Sequence, residues 1–489
     1  MPPAERKNNL DLSIQLLHPD TPLHGGSVIL GHVVRKSHIV AASATVRVRL
    51  LGRAKAKLVI SRGNNSSTYY SRFTFWPDNA VADVVHHGPV HVAPPGAGGQ
   101  PVSWPFALAL PTHTDARAVN ACGGDSAREA CFLRPGLGVG AGVGLPEQPL
   151  PGTFYFDGSG FNKSWHGFVE YWIEAELTVQ GKSSIVKASM PVRVLSPPVP
   201  SPPISDFRLE RQNKAGCVSS QRLLPGMMDA ELSFKQKTQK FFGSSKVPTF
   251  HYVLDVQYPT VIQLGNESSI PFLLHVTPNR DRTSDVIGDV PQTVTIEQME
   301  LELLTTTSII CPGTLDPHGA SKTRKICLAR LNQLFKAVEG NIVVPSGAKE
   351  VPLDLGAALD LRVDALGRLV HGQRNGAGAF GQTVVPTFVT YCVKVEHVLH
   401  WQVRLSVAGE SWKWEGNQKL LVLAPDEGTA RGSTRATATA SAAVASSSVA
   451  PPPALEEAPA YDGPSEAAPA YEKIPGGAGE EASAAGGKS

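Results

Sequence analysis

The chain has 489 residues, a formal net charge of +2, and 42% hydrophobic against 18% charged residues. A balance this near neutral provides no global field to draw the protein onto nucleic acid, and the hydrophobic fraction excludes a chain that is unfolded throughout. With 40 prolines and 46 glycines, the composition is that of a turn-rich globular protein of about two to three domains.

Met1 to Asp11 carries no apolar segment of the secretory kind, and no later stretch reaches the roughly 18 apolar residues that cross a bilayer as a helix. Six cysteines without a CxxC pair predict reduced thiols, and a cytoplasmic protein is expected. Period-two alternation then begins. It appears in Leu12-Ser-Ile-Gln-Leu16, in Val46-Arg-Val-Arg-Leu50, and at greatest length in Val169 to Val179, where Val169, Tyr171, Ile173, Ala175 and Leu177 alternate with Glu170, Trp172, Glu174 and Glu176. One apolar and one polar face make these half-buried strands of antiparallel sheets. The stretch from about 119 to 150, with its glycine run from Gly136 to Gly144, reads as a flexible insertion within a first domain over residues 8–197.

Five prolines between Ser196 and Pro203 deny the backbone the donors of a central strand, so residues 198–206 are expected as a stiff extended linker. Alternation resumes in Tyr252 to Tyr258 and Val403 to Val407, which places a second β-domain at residues 207–426. Ser321 to Ala337 is the one helical candidate, from the spacing of Ile326, Ala329 and Leu334. Residues 427–489 shrink to Ala, Ser, Thr, Gly, Pro and Glu, and are expected to be a disordered tail. The predicted fold class is all-β: two tandem immunoglobulin-like antiparallel β-sandwich domains followed by that tail.

Specific motifs narrow the reading. Leu12-Ser-Ile-Gln-Leu-Leu, Leu23-His-Gly-Gly-Ser-Val-Ile-Leu-Gly-His-Val33 and Val46-Arg-Val-Arg-Leu-Leu-Gly52 resemble the first strands of the arrestin amino-terminal domain. Gly167 to Leu177 and Met190 to Leu195 resemble its late strands; Phe250 to Pro259, Ile270 to Val276, Pro386 to Tyr391 and Leu420 to Leu423 resemble the carboxy-terminal domain of fungal alpha-arrestins. The resemblance runs in order from about residue 10 to 425 and implies the arrestin fold. It also implies a cytosolic, non-catalytic adaptor that binds the cytosolic parts of membrane transporters or receptors and recruits ubiquitin-ligase or coat machinery for endocytic trafficking. A signalling or coat scaffold of the same fold, without ligase recruitment, is the alternative.

Two tail repeats, Ala458-Pro-Ala-Tyr461 and Ala468-Pro-Ala-Tyr471, resemble degenerate PPxY ligands, with Pro459, Tyr461, Pro469 and Tyr471 matching the motif and alanine replacing its first proline. They imply a WW-domain HECT-type ubiquitin ligase as partner, two weak ligands on one tail reinforcing each other. Arg47, Arg49, Arg53, Lys55 and Lys57 form a basic patch that would suit a phosphorylated tail or anionic headgroups at a plasma or endosomal membrane, although a solvated sheet face explains the pattern as well.

His86, His87 and His91 are expected in a proline-broken loop, and His397 and His400 on opposite strand faces. Neither group has the donors of a metal site, and no metal or cofactor is expected. The motifs GxSxG and HExxH and the kinase set are missing from the sequence, which leaves a glycosidase-like carboxylate pair as the remaining route to an enzyme.

Overall fold

The computed structural model describes residues 11–429 apart from 20, 95–99, 135–143, 228–229, 232, 235–246, 289, 332–341, 348–349, 371–382. The described chain is mostly β-strand, in antiparallel sheets with few and short helices. In the first half, β1 (Ser13–Leu16), β2 (Val28–Arg35) and β6 (Val102–Ala109) form a three-stranded sheet. Across a shared apolar core lies a larger sheet of β3 (Ile39–Arg62), β4 (Asn65–Thr74), β5 (Ala82–Val92), β7 (Phe154–Gly160), β8 (Lys163–Val179) and β9 (Val186–Val192). The alternation of β8 is realised as read: Tyr171, Ile173, Ala175 and Leu177 are all buried at 1% exposure or less.

In the second half, β10 (Leu209–Ser219), β11 (Thr249–Pro259), β13 (Leu273–Pro278) and β17 (Leu353–Asp354) form a four-stranded sheet. It faces a sheet built from β12 (Val261–Gln263), β14 (Val294–Cys311), β15 (His318–Leu331), β16 (Ile342–Val344), β20 (Phe388–Val389), β21 (Val393–Val407) and β22 (Glu410–Leu423). A small hairpin, β18 (Arg362–Val363) and β19 (Leu369–Val370), stands apart from both. Trp401 of β21 is wholly buried at the centre of this second core. Its cross-strand neighbour is Gly416, where a Cβ would lie 2.6 Å from the indole, so this position is held to glycine by close approach.

The two cores meet. Ile309 and Cys311 from β14, with Tyr391, Cys392 and Val393 at the start of β21, are buried in the first core rather than the second. The Tyr391 hydroxyl is hydrogen-bonded to Thr114 Oγ1 at 2.7 Å and to the Pro146 carbonyl at 2.9 Å. The proline-rich segment is extended and strapped to the end of β22: Val199 N–H donates to Pro425 O at 3.0 Å and Glu427 N–H to Val199 O at 3.0 Å. Asp426 gathers Ser201, Thr429 and the Gly428 N–H around one carboxylate.

Three local expectations are corrected. Ser321 to Leu331 is strand, part of β15, and residues 332–337 of that helical candidate lie outside the described residues. A β-bulge opposite Leu301 and Glu302 turns both Leu328 and Ala329 inward, so Ile326, Leu328, Ala329 and Leu331 are buried at a spacing that imitates a helix. The described parts of the insertion are anchored: Asp115 caps α1 (Ala116–Asn120), α2 (Gly124–Glu129) follows, and Val119, Cys131, Leu145 and Leu150 enter the first core. Only Gly144 of the glycine run lies within the described residues.

The histidine triplet forms no loop, since His86, His87 and His91 belong to β5, and Pro89 sits in that strand where its register with β3 shifts. An edge strand at a bulge tolerates a missing N–H.

Candidate functional site

Arg47, Arg49, Arg53, Lys55 and Lys57 occupy alternate positions on the outer face of β3, and the structure divides them. In register across β8, Arg47 faces Glu176, Arg49 faces Glu174 and Arg53 faces Glu170, whereas Lys55 faces Phe168 and Lys57 faces His166. Cross-strand opposition of unlike charges is the arrangement a sheet favours. Arg49 donates from Nε to Glu174 at 3.1 Å and from Nη2 to Glu176 at 3.0 Å, and Lys187 of β9 pairs with the same Glu176. Burial acts to raise the Glu176 carboxyl, but Lys187 and Arg49 together hold it below its ordinary value. Arg53 pairs with Glu170 and lies 4.7 Å over the Trp172 ring. Its side chain is 10% exposed and that of Glu170 is 8% exposed, so this part of the face is a buried ion pair rather than a solvated one.

The far end of the strand is different. Lys55 and Lys57 meet Arg72 and Tyr70 of β4 in register, and among the described residues no carboxylate forms an ion pair with Lys55, Lys57 or Arg72. The Lys57 ammonium lies 5.7 Å from the Tyr70 ring and Lys55 lies 6.0 Å from Phe168. Burial first, then the like charges of Arg53 and Arg72, lower the Lys55 ammonium from its ordinary value, with Glu170 opposing. His166 is lowered by burial first and by Lys57 next.

A face that gathers Lys55, Lys57 and Arg72, with an exposed tyrosine at its border, has the chemistry to hold a carboxylate or phosphate oxyanion. Sequence reading missed Arg72. Its signal was the alternation of buried Ser71 and Phe73 with outward Tyr70 and Arg72, obscured by the tyrosine doublet Tyr69-Tyr70.

The glutamates of this face are thus engaged: Glu170 with Arg53, and Glu174 and Glu176 with Arg49. A cleft of about 350 Å³ beside the β1–β2 hairpin is lined by Leu16, Pro22, Val28 and Leu366, with His18 and Arg193 as its titratable groups.

The histidines are dispersed. His86 lies against Trp104, His87 is hydrogen-bonded to Thr45, and buried His397 to Thr305 Oγ1 at 3.0 Å, while His400 meets Asn417 on the opposite face. Among the described residues no group of three or more His, Cys, Asp or Glu is placed to hold a metal ion. The six cysteines are free, and no helix of the described chain is long and apolar enough to cross a membrane.

Pro459, Tyr461, Pro469 and Tyr471 lie outside the described residues. Neither a scan against protein-family models nor a search of the curated proteins returns a match.

Proposed function

We propose that this chain is an arrestin-like adaptor, non-catalytic, with two tandem β-sandwich domains that receive the cytosolic part of a membrane transporter or receptor. The tail then recruits a WW-domain ubiquitin ligase and commits that cargo to endocytic trafficking. The observation that carries the reading is positional. The segments that resemble arrestin strands fall on strands in the same order: Leu12 to Leu16 on and before β1, Gly31 in β2, Val46 to Gly52 in β3, Gly167 to Leu177 in β8, Phe250 to Pro259 in β11 and Leu420 to Leu423 in β22. The cations at the Lys55 end of β3, which among the described residues form no ion pair with a carboxylate, supply a place for an acidic or phosphorylated stretch of cargo.

Ligase recruitment is tested by titrating the peptide from Leu455 to Ile474 with a tandem WW module. Binding is expected in the micromolar range or weaker, roughly 10 µM and above, because each motif lacks its first proline, and the double substitution Tyr461→Ala with Tyr471→Ala is expected to abolish it. A peptide that shows no binding removes the ligase from the reading and leaves a scaffold of the same fold.

A further inference from the structure

A strand at the rim of a sheet presents a row of backbone N–H and C=O groups, and folds ordinarily blunt such rims with proline, a bulge or a run of like charge. Two rims here follow that practice. Pro191 stands in β9, and β15 combines a register shift against β14 with exposed Lys322, Arg324 and Lys325. The rim formed by β22 does not. From Glu410 to Leu420 it pairs with β21 alone among the described residues, since β12 covers only Leu421 to Leu423. This stretch contains no proline, and its register with β21 runs without a shift.

Which backbone groups face outward follows from one bond. Leu421 N–H donates to Thr260 O at 2.8 Å, on the side of β22 away from β21. In an antiparallel ladder the direction alternates, so Ser411, Lys413, Glu415, Asn417 and Lys419 turn their N–H and C=O groups outward as well. The side chains of the same residues are exposed, while Trp412 and Trp414 lie half-buried on the opposite face against the second core.

The charges on this rim are self-complementary. Lys413 and Glu415, whose side chains are 43% and 59% exposed, pair within the chain at 2.7 Å. When a second β22 is laid antiparallel about a two-fold axis through Trp414, Lys413 falls opposite Glu415 of the second copy, Glu415 opposite its Lys413, and Ser411 opposite its Asn417. All four residues turn their backbone groups toward that axis, which gives about eight hydrogen bonds. Unlike charges directly opposed are what a sheet favours, and an axis through Lys413 or Glu415 would oppose like charges instead. Of the surrounding charges, Arg404 lies opposite Lys413 on β21, and Lys214 and His400 act on Glu415. Glu297 accepts from the Ser411 hydroxyl at 2.7 Å, and Glu410 and Lys419 stand toward the two ends of the stretch.

We propose that the β22 rim is an interface with a second copy of this chain, the two strands joining antiparallel about Trp414 so that one sheet runs through both copies. A contact of this kind uses the same surface on each side and closes on itself, leaving no free rim of β22 from which fibres could grow. A foreign extended peptide would meet the same backbone row, but the alternation of Lys413 and Glu415 matches this strand's own sequence. The inference concerns self-association and stands whether or not the chain is an adaptor.

The test is sedimentation equilibrium of the full-length protein over roughly 1 to 200 µM, where a dimer with a dissociation constant on the order of 10 µM is expected, edge pairing being a small interface. Lys413→Glu and Glu415→Lys each put like charges at both opposed positions, and each variant alone is expected to dimerise at least about tenfold more weakly. Mixed in equal amounts, the two variants are expected to recover the dimer, since unlike charges then meet in both places although the pair within each chain stays broken. Circular dichroism of the variants should match the parent because both side chains are exposed, which separates lost association from lost folding. A chain that stays monomeric over that range, single variants that dimerise like the parent, or a mixture that fails to associate overturns the proposal.

Discussion

At the scale of the residue, His397 is the clearest case of burial deciding protonation. It is 1% exposed and hydrogen-bonded to Thr305, and burial pushes its imidazole down to about 4, with a backbone hydrogen bond to Val385 partly opposing. Above its unfolded value near 6.5 both states are neutral and the group is silent. As pH falls below that value the unfolded chain takes up a proton that the folded chain refuses, so stability drops until the folded value is passed. The expected loss between pH 6.5 and 4 is on the order of 3 kcal/mol from this one side chain. Urea midpoints over that range should fall less steeply in His397→Gln than in the parent, and parallel slopes would remove the argument.

The Arg53–Glu170 pair makes a second residue-scale prediction. Glu170→Ala leaves a buried guanidinium with only the Trp172 ring beneath it, and is expected to cost about 3 kcal/mol. Replacing both partners with methionine should cost much less, since desolvation of two charges is then avoided; the comparison is made by denaturant unfolding of the three variants.

At this scale the sequence was legible in identity and silent in pairing. Arg53 and Lys55 look alike on paper, and only the register of β3 against β8 separates the arginine clamped by Glu170 from the lysine opposite Phe168.

At the scale of the element, alternation was enough wherever it ran unbroken. In β21 every second residue from Val393 to Val407 is buried, and no other period would satisfy that pattern. Failures came where one inserted residue reset the phase. The bulge in β15 places Leu328 and Ala329 on the same side, and the i, i+3 spacing of buried Ile326 and Ala329 then matches a helical turn. Pro89 made β5 look like a loop for a related reason, because a missing N–H forbids a central strand and not an edge. The segment between 119 and 150 was judged by its glycines, whereas Val119, Cys131, Leu145 and Leu150 are what hold its described parts to the core. Composition averages over a segment, but anchoring depends on a few side chains.

At the scale of the whole molecule, the all-β class was legible from the repeated alternation. The junction between the two apolar cores was not, because it depends on side chains 245 to 277 residues apart in the chain. Tyr391 is the centre of that junction. Its ring lies 5.1 Å from Phe73, its hydroxyl reaches Thr114, and its carbonyl accepts from Phe132 N–H at 2.9 Å, all within the first core. Ile309, Cys311, Cys392 and Val393 are buried beside it.

A fragment ending at Pro203 would lack all five and expose the apolar surface they cover, an amount of burial comparable to the whole margin of stability of a domain. The expected outcome is that residues 1–203 expressed alone bind a hydrophobic dye and melt without a cooperative transition, while the full chain unfolds cooperatively with both halves in one step. Calorimetry on the two proteins decides it. A fragment that melts sharply near the midpoint of the intact chain would mean that the first sandwich completes its own core, and that the proline segment joins two independent bodies rather than one welded pair.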